Sequence, residues 1–394
     1  MSSELLESAR ALEPRLVADR RTIHSHPEMA YEEEQTSTLV QARLRDLGIK
    51  FRSGLAGTGV VAQIKGELGD GPCVLLRADM DALPIEERSG VSFASEVPGV
   101  MHACGHDAHT AMLLGAAQML MDRRSSFAGT VKLMFQPAEE GGAGAARMIE
   151  DGVLADPPVD AAFMLHVWPD LDVGQVACGP GPQLAGADGF TVTIEGRGGH
   201  AAYPHLTIDP VVVGAEIVIA LQTLVSREVD PTVPAVLTLG SFNAGSKSNV
   251  IPDRAVLMGT IRAFDDALFA HLEQRLREVV AGVASALRAT ARIEFEMSYP
   301  PSVCDPAMAE HLGASARSLL GPEAVLESHP EMGAEDFAFV LQKVPGAMLW
   351  LGVKHPSWPE PKQVHTATFD IDESALPIGS SAMAGVALDF LKRS

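Results

Sequence analysis

The stretch Met101-His-Ala-Cys-Gly-His-Asp-Ala-His-Thr110 places a cysteine and three histidines around the start of a predicted helix. Thiolate and imidazole groups are strong ligands for borderline divalent metals. In Cys104-Gly-His106 a single small residue separates the two side chains, so both can turn toward one point. The stretch therefore predicts a metal site, although it holds too few ligands to complete one alone.

Strand-like apolar runs lie on both sides of this stretch and alternate with helix-like segments. Continuous runs such as Cys73-Val-Leu-Leu76 are typical of strands that are buried on both faces. This pattern predicts an α/β domain with a mixed sheet covered by helices. The predicted elements are strands Val60–Ile64, Val74–Ala78, Val131–Phe135 and Ala161–Leu165, and helices Glu32–Leu47, His106–Met121, Ala143–Glu150 and Ala375–Lys392.

A different pattern begins after Cys178–Ala187, whose Gly-Pro steps disfavour both helix and strand. The following segments read β-α-β-β-α-β, the order of a ferredoxin-like unit. We therefore expect an inserted domain over 185–299, between two segments of the sheet domain, 1–184 and 300–394. Its predicted elements are Phe190–Glu195, Pro210–Val225, Ala235–Phe242, Ala255–Phe264, Leu268–Leu287 and Ala291–Ser298.

Composition and charge narrow the class of protein. The 394 residues are 46% hydrophobic and 21% charged, a globular balance with room for two domains. The net charge of −21 argues against nucleic acids and anionic membranes as partners. No apolar run approaches the roughly 18 residues of a membrane span, and the charged start, 1–16, is unlike a signal peptide, so we expect a cytoplasmic protein. The four cysteines lie too far apart for a disulfide framework.

Further candidate ligands follow predicted strands or loops elsewhere in the chain. Taken singly, each has a more common explanation than metal binding. An aspartate after a strand is more often a turn residue, a lone histidine is more often a hydrogen-bonded polar residue, and adjacent glutamates are usually a solvated surface pair. Because the carboxyl ends of parallel strands meet at one edge of a sheet, their coincidence favours a shared site. Such mixed sulfur, nitrogen and oxygen donors suit Zn²⁺, Mn²⁺, Co²⁺ or Ni²⁺ without deciding among them. These candidates are Asp79, Asp81, Glu139, Glu140, His166 and His365.

This set of residue types suits the hydrolysis of an amide. That reaction needs a water of lowered pKa, a polarised carbonyl and a base that carries a proton to the leaving amine. The adjacent Glu139 and Glu140 can divide the work, since one can bind metal while the other holds the water.

Eight ordered motifs, which span nearly the whole chain, resemble the M20 metallopeptidase family. Within it, the chain is most similar to N-acyl-L-amino acid amidohydrolases, hippurate hydrolases and auxin-conjugate amidohydrolases. The motifs are Arg77–Pro84, Met101–His109, Phe135–Gly141, Gly196–Ala201, Asn249–Pro252, Gly259–Arg262, Gly333–Phe337 and His365-Thr366.

The resemblance implies a metal-dependent hydrolase with two divalent metal ions per subunit, which cleaves N-acyl-L-amino acids to a carboxylic acid and a free amino acid. It leaves Asp79 outside the ligand set, as in the resembling subgroup. It implies these sheet-domain roles: ligands Cys104, His106, Glu140, His166 and His365, general base Glu139, and Asp81 orienting a ligand.

The resemblance also gives the inserted domain a function as a lid and dimerisation domain, in a homodimer or homotetramer. It implies that His200 stabilises the tetrahedral oxyanion. It further implies that Asn249 and Arg262 bind the carboxylate of the substrate.

Two alternatives remain open at this stage. The first is a carboxypeptidase or dipeptidase of the same fold, which would differ only in the acyl side of its substrate. The second is a noncatalytic metal-binding protein on the same scaffold, which is disfavoured because Glu139, the candidate ligands and His200 occur together.

Overall fold

A computed structural model of the protein describes residues 2–296 and 298–392. The chain divides into two compact units, and the second interrupts the first in sequence. Unit 1 is Met1–Gln183, Val303–His329 and Phe339–Ser394, and unit 2 is Leu184–Ser302 and Pro330–Ala338.

The elements are numbered in chain order. The helices are α1 Ser2–Ser25, α2 Glu34–Asp46, α3 His106–Met121, α4 Glu139–Gly142, α5 Gly144–Glu150, α6 Pro210–Thr223, α7 Asp266–Ala286, α8 Pro306–Leu320, α9 Ala338–Leu341 and α10 Ala375–Lys392. The strands are β1 Lys50–Leu55, β2 Gly59–Lys65, β3 Cys73–Asp79, β4 Thr130–Gln136, β5 Ala161–Asp172, β6 Val176–Cys178, β7 Gly181–Leu184, β8 Gly186–Glu195, β9 Gly199–His200, β10 Ala235–Ala244, β11 Val250–Ile251, β12 Arg254–Ala263, β13 Thr290–Phe295, β14 Ser302–Cys304, β15 Val325–Glu327 and β16 Gly346–Lys354.

Unit 1 is built on a mixed sheet, which confirms the predicted α/β class. Among the described residues the sheet has eight strands in the order β1-β2-β4-β3-β5-β16-β6-β15. Strands β3, β4, β5 and β16 run parallel at its centre. Every residue of β3 is buried, as its apolar run predicts for a strand covered on both faces.

The predicted helices and strands of unit 1 occur close to their expected bounds, with one informative difference. Strand β5 does not stop at Leu165 but continues to Asp172. It can continue because β16 pairs beside it, with Trp350 opposite His166 and Gly352 opposite Trp168. His166 therefore lies within a strand rather than after one.

Unit 2 contains a four-stranded antiparallel sheet in the order β10-β12-β8-β13 among the residues described. Helices α6 and α7 pack on it around a core that includes Phe190, Ile217 and Leu276. The order β8-α6-β10-β12-α7-β13 is that of a ferredoxin-like unit. The predicted last strand, Ala291–Ser298, ends at Phe295, and its Met297 lies outside the described residues.

Helix α6 is unusually apolar for a helix with an exposed face. It buries Val213, Ile217 and Leu221, while Val212 and Ile219 are more than half exposed. In the described chain, one helix, Pro210–Glu228, is long and apolar enough to cross a membrane by length and composition. The sequence predicted no apolar run of that length. This helix meets the length and composition criteria although Glu216 lies within it.

Candidate functional site

The candidate ligands of unit 1 come together because several elements end at the same edge of its sheet. Asp79 is the last residue of β3, Glu139 follows β4, and β3 runs parallel to both β4 and β5. Helix α3 starts at this edge and carries His106 in its first turn. This is the carboxyl edge of parallel strands, where sites in α/β sheets form.

Two overlapping groups of donor atoms lie within metal-binding reach. Cys104, His106 and His166 place one ligand atom each within 4.8 Å of the others. Cys104, Glu140 and His365 do the same, so Cys104 is common to both groups. The five residues predicted as ligands are thus brought together, and Glu139 lies within the same distance of His106 and Glu140.

The histidines are oriented as metal ligands require. Nδ1 of His166 donates to the Val167 carbonyl at 2.8 Å, which leaves Nε2 facing Cys104 Sγ at 3.5 Å. Nδ1 of His106 bonds the Asp81 carboxylate at 3.2 Å, and its buried Nε2 has no hydrogen-bond partner among the described residues. A ligating histidine characteristically donates its other ring N–H to a carboxylate or carbonyl. The residues present therefore fit a divalent metal.

The electrostatics of the site also favour a cation. Burial and the carboxylates of Glu140 and Glu139 raise the pKa of the Cys104 thiol well above its ordinary value. Burial lowers the pKa of His106, but neighbouring carboxylates, led by Asp79, raise it to about 10. A bound divalent cation reverses this balance, because it stabilises a thiolate and competes with the proton on imidazole.

Asp81 contacts two of the candidate ligands. Its Oδ1 lies 3.2 Å from His106 Nδ1, and its Oδ2 accepts the backbone N–H of Glu140 at 2.9 Å. The Asp81 carboxylate is fully buried, so these contacts fix both ligand-bearing segments relative to each other.

His365 approaches the site from a distant part of the sequence. Its backbone N–H donates to the Ala103 carbonyl at 2.7 Å, which joins its loop to the Cys104 turn. Its Nε2 lies 3.2 Å from Glu140 Oε1, and its side chain is 52% exposed. The site therefore opens to solvent on the His365 side.

Gly105 makes the Cys-Gly-His turn possible for two reasons. Its φ is +85°, a left-handed conformation that side chains disfavour. A Cβ at this position would lie 2.5 Å from Val167 Cγ2, against the strand that carries His166. Only glycine lets the turn lie this close to β5.

A buried ionic network links helix α1 to the segments that carry His106 and His365, and it was not predicted from the sequence. Arg20 of α1 is fully buried; its Nε donates to Asp107 at 3.0 Å and its Nη1 to Glu373 at 3.0 Å. His24 bonds the same Asp107 carboxylate at 2.8 Å. Asp107 and Glu373 belong to the segments that carry His106 and His365, so α1 ties them together. Sequence signals for this network are weak, because a helix arginine normally indicates a solvated face.

The remaining predicted site residues lie in unit 2. His200 pairs with Val250 across β9 and β11, and Ala201 N–H donates to the Asn249 carbonyl at 3.1 Å. His200 and Asn249 are therefore neighbours with exposed side chains. Arg262 lies on β12, and its Nη1 donates to the Met332 carbonyl at 3.1 Å. Burial lowers its pKa, and no charged neighbour in the described chain offsets this effect.

Comparison with known families gives a match over most of this chain. Residues 75–389 match the model of peptidase family M20/M25/M40. A crystal structure of the Bacillus subtilis YXEP protein, described as a dinuclear metal binding peptidase from the M20 family, superposes with a TM-score of 0.82 at 35% identity. The match covers 97% of this chain and 99% of that one.

Several curated proteins are similar over nearly their full length. IAA-amino acid hydrolase ILR1-like 4 of Arabidopsis thaliana is 43% identical over 95% of this chain and 86% of its own. N-acetyl-L-cysteine deacetylase of Bacillus subtilis is 42% identical over 93% and 85%. Thermostable carboxypeptidase 2 of Saccharolobus solfataricus is 39% identical over 98% of both chains.

Proposed function

The chain belongs to peptidase family M20/M25/M40, and on that basis we propose that it hydrolyses the amide bond of N-acyl-L-amino acids. The products are a carboxylic acid and a free amino acid. One observation carries the proposal, namely the convergence of Glu139 with Cys104, His106 and Glu140 at the sheet edge. Relatives described as an IAA-amino acid hydrolase and an N-acetyl-L-cysteine deacetylase support the substrate class.

We assign two divalent cations to this centre, with Zn²⁺, Mn²⁺, Co²⁺ and Ni²⁺ as the candidates for its mixed donors. When bound, they would polarise the amide carbonyl and acidify a water molecule. The assignment rests on donor-atom proximity and on the orientation of the imidazoles. The residues that would hold them are Cys104, His106, Glu140, His166 and His365.

Glu139 moves the proton in the proposed reaction. Its carboxylate takes a proton from the attacking water, whose oxygen forms a bond to the carbonyl carbon. The same carboxyl group then gives that proton to the nitrogen as the C–N bond breaks. Glu139 is 6% exposed, so little solvent competes for the proton. Asp81 keeps His106 and Glu140 in position throughout.

We further propose that three residues of unit 2 contact the substrate. His200 would donate to the oxyanion, which its exposed imidazole can do without breaking secondary structure. Asn249 and Arg262 would bind the free carboxylate of the amino acid. A half-buried guanidinium that lacks a carboxylate partner is well suited to that contact.

A carboxypeptidase or dipeptidase activity is the second candidate, and the similarity to thermostable carboxypeptidase 2 favours it. The two functions differ in the group on the acyl side of the scissile amide. Rates on hippurate, N-acetyl amino acids and dipeptides, measured on metal-reconstituted protein, separate them. We expect kcat/KM to be highest for the N-acyl amino acids. Dipeptides as the better substrates, or no hydrolysis in either class, would contradict it.

We propose that unit 2 mediates a homodimer or homotetramer. Its helix α6 exposes Val212 and Ile219, and β10 is an edge strand with an exposed Phe242. Apolar patches and open edges of this kind mark association surfaces. Ile219→Glu should shift the sedimentation of the protein toward the monomer. Leu68→Glu, at an exposed leucine of unit 1, is the matched control. An unchanged Ile219→Glu assembly would exclude this face.

We place the protein in a reducing compartment, the cytoplasm. All four cysteines are free and buried, and Cys104 must keep its thiol to bind metal. Fractionation of source cells with an antibody to the protein tests this placement, and recovery in an oxidising compartment would contradict it.

A further inference from the structure

His109 is a buried histidine of helix α3 that has no role in the set described above. It lies one turn after His106, and both of its ring nitrogens are engaged. Nδ1 lies 2.6 Å from Asp79 Oδ1, and Nε2 lies 3.0 Å from the backbone nitrogen of Val167.

These contacts fix the tautomer of His109. A backbone amide can only donate, so Nε2 must be the unprotonated nitrogen and the proton must be on Nδ1. Nδ1 then donates to Asp79, whose other oxygen accepts from Arg77 at 2.6 Å. The single lone pair of the ring is therefore used by Val167. His109 has none left for a metal, although its ligand atom lies within 4.8 Å of those of Asp79 and His106.

The Val167 N–H needs this partner because of the way the sheet ends. Among the described residues, β3 pairs with β5 only as far as Arg77 opposite Met164. Beyond that point, no strand of the described chain lies beside β5 on the β3 side. A buried N–H without an acceptor loses its hydrogen bond to water with nothing in exchange, which destabilises the folded state. The imidazole of His109 supplies the hydrogen-bond acceptor that a neighbouring strand would otherwise supply to the Val167 N–H.

The carbonyl group of the same residue, Val167, orients a proposed metal ligand. The Val167 carbonyl accepts the Nδ1–H of His166 at 2.8 Å, and this bond aims Nε2 of His166 toward Cys104. The backbone of Val167 is thus held at its N–H by His109 and in turn holds His166.

We propose that His109 is a positioning residue, which sets the orientation of His166 for metal binding through the backbone of Val167. The inference rests on the proposed metal centre, but not on the substrate. Removal of a group that orients a ligand typically weakens metal affinity about 10–100-fold.

Titration of the metal-stripped protein with Zn²⁺ against a chromophoric chelator tests the proposal. His109→Phe fills the space but accepts no hydrogen bond. We therefore expect this variant still to bind two equivalents of Zn²⁺, with the affinity of the weaker site reduced about 10–100-fold relative to wild type. His109→Gln can present a carbonyl oxygen to Val167 N–H, and we expect it to recover most of that loss. Loss of one whole equivalent would identify His109 as a ligand, and unchanged affinity in His109→Phe would remove its role; either result overturns the proposal.

His311 provides a matched control in unit 1. It is also a buried, hydrogen-bonded histidine, with Nε2 3.2 Å from the Val386 carbonyl, and it packs on Phe163. His311→Phe should change stability while both Zn²⁺ affinities stay at wild-type values. Equal weakening in His311→Phe and His109→Phe would show a general packing effect and would contradict the proposal.

A second measurement is made on the unaltered protein. Long-range ¹H–¹⁵N spectra of the zinc-loaded protein should show His109 protonated at Nδ1 only, with its signals assigned by their loss in His109→Gln. Protonation at Nε2 would overturn the inference. The zinc titrations measure metal binding and the spectra measure the protonation of His109, and neither depends on turnover. Failure of amide hydrolysis would therefore refute the proposed function without refuting the positioning role of His109.

Discussion

Substitution of Gly105 by alanine should disrupt the centre of the site through a single added methyl group. The left-handed conformation at φ +85° costs a residue with a side chain about 1–2 kcal/mol. The new Cβ would also lie 2.5 Å from Val167 Cγ2, and overpacking of this kind costs about 1–3 kcal/mol. We therefore expect the free energy of unfolding to fall by about 2–5 kcal/mol.

A matched control separates the two contributions. Gly152 has almost the same φ, +84°, but nothing lies within 4 Å of its added Cβ. Gly152→Ala should therefore show only the backbone strain, about 1–2 kcal/mol. Urea unfolding of the metal-stripped proteins measures both losses, and metal analysis shows whether Gly105→Ala also binds less metal. Equal losses in the two variants, with full metal content, would refute the close approach of the turn to β5.

The remaining predictions concern the base, the metal and one carboxyl group of unit 2. Glu139→Gln should keep both metal equivalents and lose about 10²–10⁴-fold in kcat, a range typical of a general base, as measured by amino acid release; turnover near wild type would remove its assigned role. Prolonged chelation should lower the urea midpoint of unfolding, because ligand binding to the native state stabilises it, and re-addition of Zn²⁺ should restore it; an unchanged midpoint would argue against bound metal. The pKa of Asp188 is raised to about 7 by burial and by the neighbouring Glu273 and Glu296, and the charge of Arg277 offsets this only in part. The folded state therefore binds this proton more tightly than the unfolded state, so stability is lost as the pH rises toward and through 7. Asp188→Asn should thus gain about 1–2 kcal/mol relative to wild type between pH 5.5 and 8.5, measured by urea unfolding at both pH values, and a pH-independent difference would contradict the raised pKa.

The sequence predicts the candidate metal ligands better than it predicts the residues that hold them in position. Residue type and spacing are enough to predict Cys104 and His106 as ligands, and the parallel strands explain why Glu140 lies close to them. The role of His109 is different, because it depends on where β3 stops pairing with β5, and no local pattern records that point. Arg20 is missed for a related reason, since its partners Asp107 and Glu373 are distant in sequence.

The length of β5 shows the same limit in the backbone. Its residues after Leu165 form a strand because β16 lies beside them, and β16 follows unit 2 in the chain. Local propensity decides whether a segment can be a strand, while a remote partner decides how far the strand extends. The segment Pro330–Ala338 follows the same rule, since the bond from Ala185 N–H to Glu331 O at 3.2 Å helps to join it to unit 2.

The position of β16 inside the sheet also sets an order for biosynthesis. A nascent chain completes β5 and β6 and the whole of unit 2 before β16 leaves the ribosome, yet β16 must insert between those two strands. Until then the apolar edge of β5 remains unpaired, a state prone to aggregation and suited to chaperone binding. His365 follows β16 almost immediately, so the segment that closes the sheet also delivers the last proposed ligand. A chain truncated before β16 would consequently lack both a closed sheet and a complete metal centre, which makes metal uptake a marker of finished synthesis.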